Sequence, residues 1–136
     1  MNMKNALIIN AHQRWENFAE GKLNQSFASV AEDRLTMLGY NVQTTVIDEE
    51  YDVNSEIDKH QWADVVIVQT PLFWMSAPWL FKKYIDEVFT AGLGGKLLIR
   101  PNEVLSGIAH ARVLKVADHT LRIVVQHPHM RTGCLA

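Results

Sequence analysis

The chain has one cysteine, Cys134, so no disulfide framework can form within it. It has no uninterrupted apolar run long enough to span a bilayer, and Ala6–Ile9 is too short for the apolar core of a signal peptide. A cytoplasmic protein with no membrane span is therefore expected. The formal net charge is −2, which gives no electrostatic footprint for nucleic acid or an acidic membrane surface. No repeat or low-complexity segment interrupts the chain, and 136 residues make one domain at most, large enough to bury a core. Neither the GxGxxG dinucleotide fingerprint nor a Walker A loop occurs. No Ser/His/Asp set or paired-carboxylate site stands out, which leaves room for an enzyme whose cofactor performs the difficult step.

A further absence is local. All 12 Phe, Trp and Tyr residues lie at or before Phe89, so the last 41 residues carry none. Charge divides at the same seam. Residues 1–95 hold 7 Lys and Arg against 13 Asp and Glu, whereas residues 96–136 hold 6 against 2, together with four of the six histidines. The chain therefore reads as an aromatic, acidic part over 1–95 and a divergent basic tail over 96–136. In that tail, Glu103–Val116 reads as a poor helix and Leu121–Gln126 as a strand. His127, His129 and Cys134 have only a loose metal-ligand spacing, and no metal is expected there.

The first part alternates strand and helix. Ala6–Ile9 is all apolar, as in a strand covered on both faces. Leu23, Phe27, Val30, Ala31, Leu35 and Leu38 draw one stripe on a helix over 22–38, which Gly39 ends as its C′ residue. Val42, Thr44 and Val46 alternate as in a strand over 42–47. An acidic connection, Asp48–Asp58, leads through Trp62, with His60 expected on the solvent side of a short helix. A buried strand follows over 64–70. The next helix, over 77–90, carries Leu80, Phe81, Tyr84, Ile85, Val88 and Phe89 on one face. Lys82 with Asp86, and Lys83 with Glu87, pair on the other. Ser76 is expected to cap it, with Pro78 in its first turn and Gly92 or Gly94 at its end. This order implies a parallel sheet with right-handed crossovers.

Two segments carry candidate chemistry. Gly21-Lys-Leu-Asn24 opens the first helix, where unsatisfied N–H groups and the positive dipole end favour a phosphate; Gly21 admits close approach, Lys22 adds charge, and Asn24, Gln25 and Ser26 add donors. Pro71-Leu-Phe-Trp-Met75 follows the buried strand, and its flat side chains and thioether suit a planar ring. Open parallel sheets bind ligands beyond the carboxyl ends of their strands, so these loops are expected to line one crevice. The plain alternatives are an ordinary helix start and an aromatic loop that extends the core. His12, just beyond the first strand, is placed to touch a cofactor, but the plainer expectation is an exposed polar loop residue.

Together, Ala6–Asn10, Gly21-Lys-Leu-Asn24, Trp62-Ala-Asp-Val-Val-Ile67 and Thr70–Phe89 resemble the flavodoxin-like NAD(P)H:quinone oxidoreductases over about residues 5–92. The resemblance implies an α/β, flavodoxin-like three-layer sandwich with a parallel sheet in strand order 2-1-3. It also implies a homodimer that binds FAD, takes a hydride from NAD(P)H, and passes two electrons together to a quinone or related small electrophile. Carried over by position, Glu20, Gly21, Lys22, Leu23, Asn24, Gln25 and Ser26 would hold the FAD phosphates and ribityl chain. Pro71, Leu72, Phe73, Trp74 and Met75 would border the isoalloxazine ring. No catalytic residue is assigned. An FMN electron-transfer flavodoxin fits less well, because the loop after the first strand lacks a compact Ser/Thr-rich phosphate turn.

The resemblance stops near Ala91, where the family continues with two further strands and their helices. Strands 4 and 5 are thus expected to be missing or replaced. If missing, Val65–Gln69 becomes a bare apolar edge. The simplest account is that the chain from about 92–99 onward is read from a shifted frame or comes from a truncated gene. The other is a genuine variant in which Leu121–Gln126 pairs beside strand 3. An inactive or weakly nucleotide-binding flavodoxin-like fragment is the alternative to an active reductase.

Overall fold

A computed structural model describes residues 3–93, 114–116 and 119–126. In chain order these form β1 (Asn5–Asn10), α1 (Lys22–Met37), β2 (Asn41–Val46), α2 (Val53–Trp62), β3 (Val65–Pro71), α3 (Trp79–Leu93), β4 (Leu114–Val116) and β5 (His119–Gln126). The sheet order is β2-β1-β3-β5-β4. β1 runs parallel to β2 and β3, with Ile8 opposite Thr44 and Ile67. The expected 2-1-3 order is present, and the element bounds fall within a few residues of those read from the periodicity.

β3 is not a bare edge. β5 lies parallel beside it, with Val65 opposite Thr120 and Pro71 opposite Gln126. This is the pairing expected of a variant tail, and it gives the backbone of β3 hydrogen-bonding partners on both sides. β4 pairs antiparallel with β5, Leu114 opposite Leu121. Leu114–Val116 is therefore strand rather than the end of a helix: its Leu-Lys-Val alternation suits a pleated pairing better than a helical face. The rest of the segment read as a poor helix, and His127, His129 and Cys134, lie outside the described residues.

Alternation along β1 divides the structure into layers. Leu7, Ile9 and Ala11 point to one face, where with Val66 and Val68 of β3 they meet Ile57 of α2 and Phe81, Tyr84 and Val88 of α3 in the main core. α1 lies on the other face, above Asn10. Gly39 has φ 82°, and Tyr40 N–H and Gly39 N–H reach the carbonyls of Leu35 and Thr36, both at 3.0 Å, as expected of the C′ residue of a Schellman turn.

Three helical expectations need correction. In α1, Leu23, Phe27, Val30 and Leu38 are 45–65% exposed, and the buried residues are Asn24 and Ala28. The helix is rolled so that Asn24 faces the sheet, because its amide has partners there (below). The acidic connection is half helix: α2 begins at Val53, capped by the Asp52 carboxylate, which accepts from Ser55 N–H at 2.8 Å. His60 is not on its solvent side but 2% exposed. It points inward because Tyr84 meets it, with His60 Nε2 to Tyr84 OH at 3.0 Å. Tyr84 OH in turn donates to Glu56 Oε2 at 2.8 Å, and Thr45 and Lys59 complete the shell of that buried carboxylate at 2.9 and 2.7 Å.

α3 buries the expected face and carries both expected ion pairs, Lys82–Asp86 at 2.5 Å and Lys83–Glu87 at 3.5 Å. It starts later than expected, at Trp79, and runs through Gly92 to Leu93. Ser76 does not cap it. Its N–H and C=O instead exchange hydrogen bonds with Phe73, at 3.0 and 2.7 Å.

Candidate functional site

The parallel strands end together, and two loops leave from that end. After β1 the chain passes Ala11 and the buried His12, then makes a small closed turn in which Trp15 and Ala19 exchange two backbone hydrogen bonds of 2.9 Å. It enters α1 through Gly21, whose φ of 80° disfavours any side chain; a Cβ there would stand 2.8 Å from His12 Nδ1. Glycine lets the backbone lie directly on the imidazole. α1 has no side-chain cap and no acidic residue in its first turn, so no capping side chain occupies the N–H groups of Lys22 and Leu23. That is the condition for holding an anion there.

The loop after β3 closes the same space. Phe73 packs edge-on against His12, with ring centroids 5.8 Å apart. A cleft of about 460 Å³ runs between the loops, walled by His12, Asn17, Phe18, Ala19, Glu20, Gly21, Lys22, Leu23, Asn24, Pro71 and Phe73. A second cleft, also about 460 Å³, lies across the helix start toward β2, walled by Asn10, His12, Arg14, Gln25, Ser26, Val46 and Asp48 with the shared Glu20, Gly21 and Lys22. Arg14 N–H donates to Asp48 Oδ2 at 3.1 Å and holds that carboxylate at the rim.

The candidate residues thus separate into groups. Glu20, Gly21, Lys22, Leu23, Asn24, Pro71 and Phe73 share the first cleft, and Gln25 and Ser26 line the second. Leu72, Trp74 and Met75 line neither. Trp74 and Met75 form the two central residues of the Phe73–Ser76 turn, with φ of 49° and 67°, and their side chains are 96% and 92% exposed. Both adopt the left-handed backbone that a two-residue hairpin turn demands and that Asn or Gly usually supplies. Strain of this kind, with two large apolar groups held in solvent, is characteristic of functional loops. Asn24 is 3% exposed, and its amide bonds to protein atoms.

Phe18, Arg14 and Asp48, which were not among the candidates, complete the walls with His12, which is buried rather than an exposed loop residue. His12 is 8% exposed, and burial lowers its pKa while Asp48 opposes that shift. A neutral imidazole therefore faces the cleft at neutral pH. The available signal was its position two residues past the end of a buried strand. Lys22 pairs with Glu20 at 2.7 Å in solvent, which leaves both mobile enough to rearrange around a ligand.

Residues 4–113 match the family described as "Flavodoxin-like fold". The chain belongs to the flavodoxin-like fold family. The match continues past residue 92, where the resemblance was expected to stop, and ends just before β4. Over 88 residues the chain is 50% identical to an uncharacterised protein of Schizosaccharomyces pombe, covering 65% of this chain and 44% of that one. Over 116 residues it is 41% identical to the NADPH:quinone oxidoreductase MdaB of Haemophilus influenzae, covering 81% and 59%. The crystal structure of a putative quinone reductase from Klebsiella pneumoniae superposes with a TM-score of 0.52 at 25% identity, over 65% of this chain and 46% of that one. The chain spans about half the length of the curated relatives it matches. In this flavodoxin-like chain both clefts lie beyond the carboxyl ends of β1, β2 and β3, where folds of this class take their ligands.

Proposed function

We propose that the chain is the cofactor-bearing part of an FAD-dependent NAD(P)H:quinone oxidoreductase that reduces a quinone or related small electrophile by two electrons. One observation carries the reading: a single cleft joins the uncapped start of α1 to Pro71 and Phe73, in a chain 41% identical to an NADPH:quinone oxidoreductase. The residues present fit a flavin dinucleotide. Gly21 leaves a cradle over His12 that any Cβ would fill. The N–H groups of Lys22 and Leu23, with the Lys22 ammonium, suit phosphate oxygens. Phe73, Pro71, Phe18 and Leu23 give an apolar wall for a flat ring, and backbone N–H groups of the 71–75 loop suit its polar edge. The second cleft, with Arg14 and Asp48, has room and hydrogen-bonding groups for a nucleoside half, which favours FAD over FMN.

When bound, the flavin supplies the chemistry, accepting a hydride from NAD(P)H and releasing the electron pair to the quinone. The chain's own residues bind and orient. Lys22 and the α1 dipole neutralise phosphate charge, and Phe73 holds the ring plane. Neutral His12 offers a hydrogen bond without adding charge. The exposed Trp74 and Met75 are placed to cover a ligand, or the surface of a second subunit, and we read the active form as a cytoplasmic homodimer. The alternative reading is an inactive or weakly nucleotide-binding flavodoxin-like fragment.

The experiment is NADPH and NADH oxidation with a soluble quinone, on the purified chain alone, with FAD and with FMN. FAD-dependent quinone reduction is the expected result. FAD binding without turnover selects the fragment reading, and no effect of either flavin refutes the flavin site.

A further inference from the structure

A run of side-chain amides lies under the start of α1, all pointing the same way. Gln69 Nε2 on β3 donates to Asn24 Oδ1 at 3.3 Å, and Asn24 Nδ2 to Asn10 Oδ1 on β1 at 2.5 Å. Asn10 Nδ2 donates to Gln25 Oε1 at 2.8 Å, and Gln25 Nε2 to Ser29 Oγ at 3.4 Å. The second N–H of Asn24 reaches the Gln69 carbonyl at 3.1 Å. Asn24 therefore spends both donors and its acceptor on the ends of β1 and β3. Hydrogen bonds aligned in series polarise one another, and the low dielectric around a residue only 3% exposed strengthens them.

Packing alone holds α1 poorly. Its only buried residues are Asn24 and Ala28, and Leu23, Phe27 and Val30 stand 61, 45 and 65% exposed. Ala28 contributes little buried area, and the half-buried Ala31 and Leu35 lie in the later turns, so no large apolar side chain fixes the roll at the start of the helix. The amide run does. The uncapped N–H groups of the first turn take their direction from that roll, and a hydrogen bond weakens steeply once its donor turns away.

We propose that Asn24 is a positioning residue that acts through the Gln69–Asn24–Asn10–Gln25 run: it fixes the roll of α1 so that the Lys22 and Leu23 N–H groups meet the phosphate of a flavin nucleotide, while its side-chain amide, spent on protein atoms, meets no ligand. The inference rests on the flavin reading above. It separates Asn24 from the neighbours with which it was grouped as a cofactor ligand.

The test uses the full chain, Asn24→Leu and Asn24→Ala, with melting curves to establish that each folds. Binding of FAD and of riboflavin, which has the ring but no phosphate, is followed by fluorescence titration. Loss of positioning weakens FAD by about tenfold, the worth of one charge-assisted hydrogen bond, and leaves riboflavin binding unchanged. Equal losses for both ligands in folded variants would mean that Asn24 merely supports the fold, and unchanged FAD binding would mean that the run positions nothing; either result overturns the inference. Wild-type protein that binds neither ligand would instead refute the flavin site itself.

Discussion

Lowering the pH should unfold this protein through one buried histidine. Tyr84 has one hydroxyl hydrogen and donates it to Glu56 Oε2, 2.8 Å away. The Tyr84 oxygen must then accept from His60 Nε2, 3.0 Å away, which fixes the neutral Nε2–H tautomer. Around that ring stand Ile9, Val68, Phe81 and Phe89, so a second proton would place a charge in apolar surroundings. Burial lowers the His60 pKa from 6.5 to about 4, with Glu56 opposing the shift and Lys59 adding to it. The sign follows directly. Below pH 6.5 the unfolded chain binds a proton that the folded chain refuses until about pH 4, so stability present above 6.5 is lost as pH falls through that window. Each tenfold difference in proton affinity is worth about 1.4 kcal/mol, so the full loss is about 3 kcal/mol. His60→Gln keeps a neutral donor for Tyr84 and cannot titrate. Urea unfolding of both proteins from pH 7.5 to 4 should show wild type losing about 3 kcal/mol more than the variant. Because His12 and the carboxylates are common to both proteins, their contributions cancel in the difference. Parallel stability curves would refute the buried, neutral assignment of His60.

Gly21→Ala should lower stability by about 1–2 kcal/mol through its left-handed backbone, and should weaken flavin binding further because the new Cβ displaces His12; urea unfolding and FAD titration read the two effects separately. Phe73→Ala should cost more flavin affinity than Trp74→Ala, since Phe73 walls the cleft and Trp74 is 96% exposed. Trp74→Gly should stabilise the fold by about 1 kcal/mol by relieving its φ of 49°, and an unchanged unfolding midpoint would show that the turn is unstrained. For the tail, translation of the other two reading frames past the codon for Gly92 should reveal strand patterns if the frame was lost; if neither frame shows them, the tail is authentic.

Where apolar burial decides the structure, the sequence was readable. Ala6–Ile9 gave β1, the 80/81/84/85/88/89 stripe gave the inner face of α3, and Gly39 gave a helix end because only a left-handed residue closes that turn. Polar residues that turn inward were not readable. His60 read as a solvent-side residue and Glu56 as one carboxylate of an acidic connection, because their partners, Thr45 and Tyr84, come from separate elements that only the fold brings together. The roll of α1 failed for the same reason: the apolar stripe was counted, but Asn24 met Asn10 and Gln69 and took the inward position. At the site, the two loops were legible as strand-to-helix junctions. The place of His12 beyond the first strand was legible but its burial was not, because only the fold lays Gly21 and Phe73 against it, and Asp48 was hidden in an acidic run. Trp74 and Met75 read as ring contacts, and the tight turn that closes on Phe73 and Ser76 holds them in solvent, where a ligand could cover them.

One cleft at the ends of β1 and β3 is proposed to hold a flavin nucleotide. The most direct measurement is an FAD titration of isotope-labelled protein, followed by the amide resonances of the described residues. Gly21, Lys22 and Leu23 should shift together with Phe73 at one common dissociation constant, while the amides of Asp52–Trp62 stay still. Shifts centred on α2, or confined to one of the two loops, would contradict it.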